Sequence, residues 1–242
     1  MAVLVTRPYP DSESTAAVLR ARGLEPLLAP VLRFEAVPLP AGFDADTAAV
    51  LVTSANALRA VEPQLKGHAL SKLPLFAVGE HSATAARRAG FEKVFSADGD
   101  GAALRDLVLG HIRAKRVKAG PLLHLSGETI AHDLAAELGA HGIEVTSRIV
   151  YRMVAMDRLP EGVRTAFAAG QIEAVLHYSA RSAAAFLQAA RADGIEISAL
   201  AVAQCCISAA VARVLREAGA ARVMVAGAPN ETALLSALER SA

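Results

Sequence analysis

The sequence predicts an α/β protein of two similar lobes, each with a parallel sheet between helices. Two observations predict the sheets: short apolar runs that are continuous rather than alternating, and Ala-rich helical segments between them. A strand that is apolar at every position is buried on both faces, which requires helices on either side of a parallel sheet. A third observation, an internal repeat, predicts the two lobes.

The first apolar run is Val3–Thr6, followed by a helix over Thr15–Arg22. Runs at Val50–Thr53 and Leu75–Val78 come next, the latter followed by a helix over Ala83–Ala89. Lys93–Phe95 and Leu122–Leu125 continue the pattern, with a helix over Asp133–Ala140. The last third holds runs at Val175–Tyr178, Leu200–Ala203 and Val223–Ala226, with helices over Ala209–Ala218 and Thr232–Leu238. Several helices end in a glycine just past the last apolar residue: Gly23, Gly90, Gly142 and Gly219. That position takes a left-handed conformation, which glycine adopts without steric cost.

The repeat has three blocks. AVLVTSANA from Ala49 returns as AVLHYSARS from Ala174. RRAGFEKVFSA from Arg87 resembles REAGAARVMVA from Arg216. ARGLEPLLAPVLRFEAV from Ala21 resembles AHGIEVTSRIVYRMVAM from Ala140. α/β sequences resemble one another by composition alone, but three blocks in the same order favour a true repeat. Two copies about half a chain apart point to two lobes, not a solenoid. Segments 36–47, with Pro38 and Pro40, and 153–172, with Pro160 and Gly162, fall outside the paired blocks and read as interlobe linkers. The chain then crosses between lobes twice, so the lobes need not be the two sequence halves.

Composition narrows the function. Hydrophobic residues make up 53% of the 242 and charged residues 20%, enough for a sizeable core. Aromatics are 4% and Trp is absent, so that core is Ala, Leu and Val. Lys and Arg number 25 against 24 Asp and Glu. Such a balance exerts no global pull on nucleic acid or anionic membrane, so an anionic ligand must be held by local groups. No apolar stretch is long enough to cross a bilayer, and the apolar start is too short for a signal peptide. Adjacent Cys205 and Cys206 cannot close an ordinary disulfide loop, which fits a reducing cytoplasm. The sequon Asn230-Glu231-Thr232 reads as chance.

The usual cofactor signals fail. Gly99-Asp100-Gly101 starts like a dinucleotide fingerprint, but Leu104 stands where the third glycine belongs, and no tight strand–helix unit is expected there. There is no Walker A sequence, no HExxH and no zinc-like cysteine spacing. His124 and His177 fall inside apolar runs and read as core or strand-end histidines. Neither metal nor cofactor is expected.

Polar residues gather where strands give way to helices: Thr6-Arg7-Pro8, Thr53-Ser54-Ala55-Asn56, Gly79-Glu80-His81-Ser82, Ser126-Gly127-Glu128 and Ser179-Ala180-Arg181-Ser182. Ligands of open parallel sheets bind beyond the carboxyl ends of strands, where helix N-termini offer unpaired N–H groups. Any one of these turns reads as ordinary N-capping. Five of them in two related lobes read better as a shared site for a polyanion.

The blocks VLVTRP, VLVTSANAL, FAVGEHSATAARRAG, the Asp98-Gly99 pair, IVYRMV and HYSARSAAAF resemble, in order, the signature blocks of uroporphyrinogen-III synthases. The resemblance spans roughly Val3 to Leu238. It implies flavodoxin-like or doubly wound lobes joined by a two-stranded connector. It also implies a discontinuous lobe of 1–35 with 173–242, and a second lobe of 48–152. The family's Gly-x-x-Thr turn maps onto Gly79 and Ser82. In the other lobe the matching glycine maps onto Ala203, with Ser208 as the nearest hydroxyl.

The resemblance implies an enzyme that cyclises hydroxymethylbilane, a linear tetrapyrrole with eight carboxylates, inverting one ring and releasing water. Tyr151, the family tyrosine in IVYRMV, is the candidate to assist departure of water. Thr6, Arg7, Thr53, Ser54, Asn56, Gly79, Ser82, Ser126, Gly127, Ser179, Arg181 and Ser208 are the candidate substrate-binding residues. The expected partner is the small substrate, with no nucleic acid and no membrane. The chain is expected to be monomeric, in transient contact with the enzyme that supplies its substrate. Two other readings stand beside this one: a cytosolic two-lobed binding protein for a small anionic metabolite, and a nucleotide-using enzyme on a Rossmann-like lobe. The failed glycine fingerprint counts against the second.

Overall fold

The structure is a computed structural model that describes residues 2–40, 42–43, 46–65, 67–130 and 132–240. Positions 41, 44 and 45 of the expected 36–47 linker lie outside the described residues. The first elements are β1 (Ala2–Val5), α1 (Asp11–Ala21), β2 (Glu25–Leu28) and β3 (Leu32–Ala36). Next come β4 (Ala49–Val52), α2 (Ala55–Leu65), β5 (Pro74–Ala77), α3 (Glu80–Arg88), β6 (Lys93–Ser96) and α4 (Gly101–Arg113). Then follow β7 (Leu122–Gly127), α5 (Leu134–Gly139), β8 (Val145–Ala155), α6 (Glu161–Ala168) and β9 (Ile172–His177). The chain ends with α7 (Ala180–Ala192), α8 (Glu196–Ala201), β10 (Ala203–Cys206), α9 (Ala209–Glu217), β11 (Val223–Val225) and α10 (Glu231–Glu239).

Two compact units result: Met1–Phe34 with Val154–Ala242, and Glu35–Met153. The chain changes unit within β3 and within β8, which are hydrogen-bonded neighbours. Eight of the 20 residues of the expected 153–172 linker form a packed helix instead. α6 buries Val163, Ala166 and Phe167, and the Phe167 ring lies 6.4 Å from that of Phe186 in α7.

The first unit has strand order β2-β1-β9-β10-β11, all paired in parallel. Numbered along the chain this is 2-1-3-4-5, the flavodoxin-like order. In the second unit β8-β7-β4-β5-β6 run in the same spatial arrangement, again parallel. There β7 and β8 take the parts of β1 and β2, so the second unit is a circular permutation of the first. The three sequence repeats fall on these equivalences: β4–α2 on β9–α7, α3–β6 on α9–β11, and α1–β2–β3 on α5–β8.

Each sheet is covered on both faces. In the first unit Val3, Val5, Leu176 and Cys205 meet Leu19 of α1 and Leu234, Leu235 and Leu238 of α10. α7 and α9 pack on the other face. In the second unit Leu51, Phe76 and Leu122 meet Leu104 and Val108 of α4 and Leu134 and Leu138 of α5, while α2 and α3 pack opposite. Alternate strand residues serve opposite faces, which is why the runs are apolar throughout. The glycines expected after helices have φ of 73° (Gly23), 97° (Gly90), 75° (Gly142) and 94° (Gly219). Asn230 of the sequon caps α10, its Oδ1 accepting from Ala233 N at 2.9 Å.

One strand was expected too early. Leu200 and Ala201 close α8, and the strand is Ala203–Cys206. Its register holds a buried Gln204, whose Nε2 donates to Ala199 O at 2.7 Å and Val202 O at 3.0 Å. A fully bonded polar side chain is tolerated in the core, but it breaks the apolar pattern. Among the described residues no helix is long and apolar enough to cross a membrane.

Neither Cys205 nor Cys206 is in a disulfide, and each is 0% exposed. Burial pushes the Cys206 thiol up to about 12, and thiolate is the reactive form. A thiol reagent at pH 8 is expected to leave both unlabelled in the native protein and to label both in denaturant. Fast native labelling would mean that β10 opens.

Candidate active site

In both units the site is set by topology. Connections leave adjacent strands in opposite directions at one place per sheet, between β1 and β9 and between β4 and β7. Such a switch point leaves a crevice beyond the strand ends.

In the second unit this place holds a cavity of about 300 Å³. It is lined by Thr53 and Ser54 after β4, Val78 after β5, Asp100 and Gly101 at the start of α4, Gly127 at the end of β7, Thr129, Ile130 and His132 beyond it, and Tyr151 of β8. Ser54 caps α2, its Oγ accepting from Asn56 N at 3.2 Å. Tyr151 pairs with Gly127 across a register shift between Ser126 and Gly127, and Glu128 N donates to Tyr151 O at 3.0 Å. The ring of Tyr151 lies against the Gly127 Cα, so close that a Cβ there would come within 2.6 Å of Cζ and 2.8 Å of the phenol oxygen. A side chain at 127 would thus push the tyrosine ring from this place.

In the first unit the same place is filled by a polar network. Arg7 lies over the Tyr178 ring, 4.3 Å from its centroid. Its guanidinium donates to Glu231 Oε1, Asp11 Oδ2 and Thr15 Oγ1, each at 3.2 Å. Glu231 Oε1 also accepts from the Thr15 hydroxyl and, at 2.9 Å, from Tyr178. Burial, with the Glu231 carboxylate assisting, pushes the Tyr178 phenol well above its usual range. Arg7 is therefore already engaged by two carboxylates.

The cavity brings together Thr53, Ser54, Gly127 and Tyr151 of the expected site residues. Others lie outside its lining. Asn56 Oδ1 accepts from Arg59 at 2.8 Å, Gly79 caps α3, and Ser82 is buried in that helix's first turn. Ser126 is not in a strand–helix turn: β7 runs through it, its hydroxyl donates to Arg148 O at 3.4 Å, and Asp133 caps α5. Thr6 is fully buried and donates to Leu176 O at 2.7 Å, so its side chain ties β1 to β9. Ser179 and Ser208 cap α7 and α9, with Arg181 exposed in the first turn of α7.

The mapping of Gly79 onto Ala203 needs correction. Ala203 opens β10, whereas the residue that caps the helix as Gly79 does is Ser208. Counting on from each cap, the position of Ser82 is taken by Val211.

A second correction concerns Gly99-Asp100-Gly101. β6 and α4 do form a strand–turn–helix unit around it. β6 is the edge strand of its sheet, but the turn after it reaches the switch-point cavity through Asp100 and Gly101, while Leu104 is buried in the core. Gly101 serves a different contact: a Cβ there would meet the His132 ring at 2.6 Å from Cγ. Asp100 Oδ1 accepts from Ala103 N at 3.0 Å. That bond is the main cause holding its carboxyl below the usual range, with the charge of His132 a smaller one. Sequence reasoning missed Asp100, Thr129, Ile130 and His132 around the cavity, and Thr15, Tyr178 and Glu231 in the network. An Asp before a helix was the available signal for Asp100; the others come from loops and faces that only the topology brings together.

Comparison with known proteins bears on what this arrangement does. The family described as uroporphyrinogen-III synthase HemD matches residues 13–236. Among solved structures, uroporphyrinogen-III synthetase from Helicobacter pylori is similar at 18% identity and a TM-score of 0.66, covering 99% of this chain and 98% of that one. A mutant uroporphyrinogen III synthase from Thermus thermophilus is similar at 21% identity and a TM-score of 0.58, covering 100% and 98%. No match was found among curated proteins.

Proposed function

The chain belongs to the uroporphyrinogen-III synthase family and is an enzyme of tetrapyrrole synthesis, and from that premise we propose how its residues carry the reaction. The substrate is hydroxymethylbilane. Its terminal hydroxyl leaves as water, giving an azafulvene. The last ring attacks through its substituted carbon to form a spiro intermediate, which breaks its old bond and recloses inverted. The α-carbon at the closing bond then loses a proton, which replaces the one given to the departing hydroxyl, so that the sum is ring plus water. In class this is a cyclising hydro-lyase.

The bilane also closes unaided, to the uninverted isomer, so the protein's work is positioning and preference for the spiro geometry. The supporting observation is the seat of Tyr151 against Gly127 at the switch-point cavity, beside Thr53 and Ser54. A phenol there can donate to the departing hydroxyl. Capped helix starts and side chains nearby hold carboxylates. The enzyme works in the cytoplasm as a monomer, without a cofactor, in transient contact with the enzyme that supplies its substrate.

The test is incubation with enzymatically made hydroxymethylbilane, followed by separation of the type I and type III products. Type III is expected to dominate. Type I at the spontaneous rate alone would leave a binding protein for an anionic metabolite.

A further inference from the structure

Two rings line the cavity, and each is seated on a glycine. Tyr151 lies on Gly127, and His132 lies on Gly101, where a Cβ would come within 2.6 Å of Cγ, 2.8 Å of Cδ2 and 2.9 Å of Cβ of the histidine. The two seats come from different elements, the end of β7 and the start of α4. Each glycine leaves the room in which its ring lies. On its other side Nδ1 faces Glu137, 3.8 Å from Oε1, which is beyond hydrogen-bond distance. Glu137 in turn is bonded to Arg105, whose Nη1 is 3.3 Å from Oε2. Nδ1 is thus turned toward α5, and the other ring nitrogen occupies the opposite edge of the imidazole. The side chain keeps 46% of its exposure, so it remains accessible to a ligand.

The cavity volume of about 300 Å³ is at the lower end for sites that take drug-sized molecules, about 300–1,000 Å³. It suits one substituted pyrrole and not four.

On the reading of the reaction given above, we infer that His132 is a substrate-binding residue. It donates its Nε2–H to a carboxylate of the one pyrrole that enters the Tyr151 cavity, while Gly101 leaves the room in which its imidazole lies. The carboxylate of Asp100 lines the same cavity. Its Oδ1 accepts from the Ala103 N–H at 3.0 Å.

A hydrogen bond to a charged group, once lost, costs roughly tenfold or more in binding. His132→Ala is expected to raise KM for hydroxymethylbilane about tenfold and to weaken binding of uroporphyrinogen III, measured anaerobically by titration, by a similar factor. kcat should stay within about twofold. Gly101→Ala keeps the imidazole but drives a methyl into it, and is expected to raise KM in the same way. Thermal unfolding of each variant checks that the fold is intact. An unchanged KM and product affinity in folded His132→Ala, with the wild type active, overturns the inference alone. A fall in kcat at constant KM also overturns it, by moving His132 from binding to chemistry. A wild-type protein that makes no type III product removes the underlying reading and the inference together.

Discussion

Tyr151→Phe is expected to lower turnover at least about tenfold while leaving the fold and product binding almost unchanged. The Phe ring keeps the contact with the Gly127 Cα, since the approach of Cε1 and Cζ to that position is a ring contact. Only the hydroxyl is removed. General acid help to a leaving group is typically worth about 10²–10⁴-fold; the low end is expected here because water leaves this substrate readily unaided. Gly127→Ala makes the complementary change. It keeps the phenol but places a Cβ at 2.6 Å from Cζ, so the ring must leave its seat. Its loss of type III product should match or exceed that of Tyr151→Phe, with type I product rising as released bilane closes by itself. Wild-type turnover in folded Tyr151→Phe would remove the hydroxyl from the mechanism. The chemistry would then rest on positioning by the backbone.

The fold was legible because its information is local. A strand buried on both faces writes itself as VLV or AVLV, and a helix stop writes itself as glycine. β2 was not legible for the converse reason. Glu25–Leu28 is a half-exposed strand at the sheet edge, where Pro26 is tolerated and apolarity is not demanded. The polar Gln204 shifted the expected strand, Leu200–Ala203, ahead of β10, since its burial depends on His177, Ala199 and Val202.

The site was legible only in part, because capping and ligand binding use the same residue types at the same turns. Ser54, Ser179 and Ser208 all accept a hydrogen bond from the first turn of a helix. What separates Ser54 is that a cavity opens beside it, and that depends on β7 lying next to β4. Arg7 shows the limit from the other side. As a free cation at a strand end it reads as a carboxylate binder. Its engagement by Glu231 depends on α10, more than 200 residues further along the chain.

Lowering the pH from about 6.5 to 4 is expected to remove several kcal/mol of folding stability, through two histidines that the chain buries as neutral rings. His124 in β7 is 2% exposed and His177 in β9 is 0% exposed. Burial lowers each to about 4 from an ordinary 6.5; a nearby Asp133 for His124, and the bond to Gln204 for His177, oppose it only weakly. His177 Nε2 lies 2.8 Å from Gln204 Oε1, and its Nδ1 is buried without a partner, as is Nε2 of His124. Neither site has a ready acceptor for a second proton. The folded pKa lies below the unfolded one, so in this window the unfolded chain binds more protons and stability rises with pH. The contribution is complete above about pH 6.5 and is lost as pH falls toward 4. The gap corresponds to roughly 3 kcal/mol per ring, against a total of about 5–15 kcal/mol for a typical domain. Each unit carries one of the two rings, so both units are expected to weaken. Urea unfolding between pH 7 and 4.5 should show midpoints falling with pH. His124→Gln and His177→Gln cannot titrate; each should be less stable at pH 7 but lose less on acidification. If both variants lose stability as steeply as wild type between pH 6.5 and 4.5, the acid sensitivity lies in other groups.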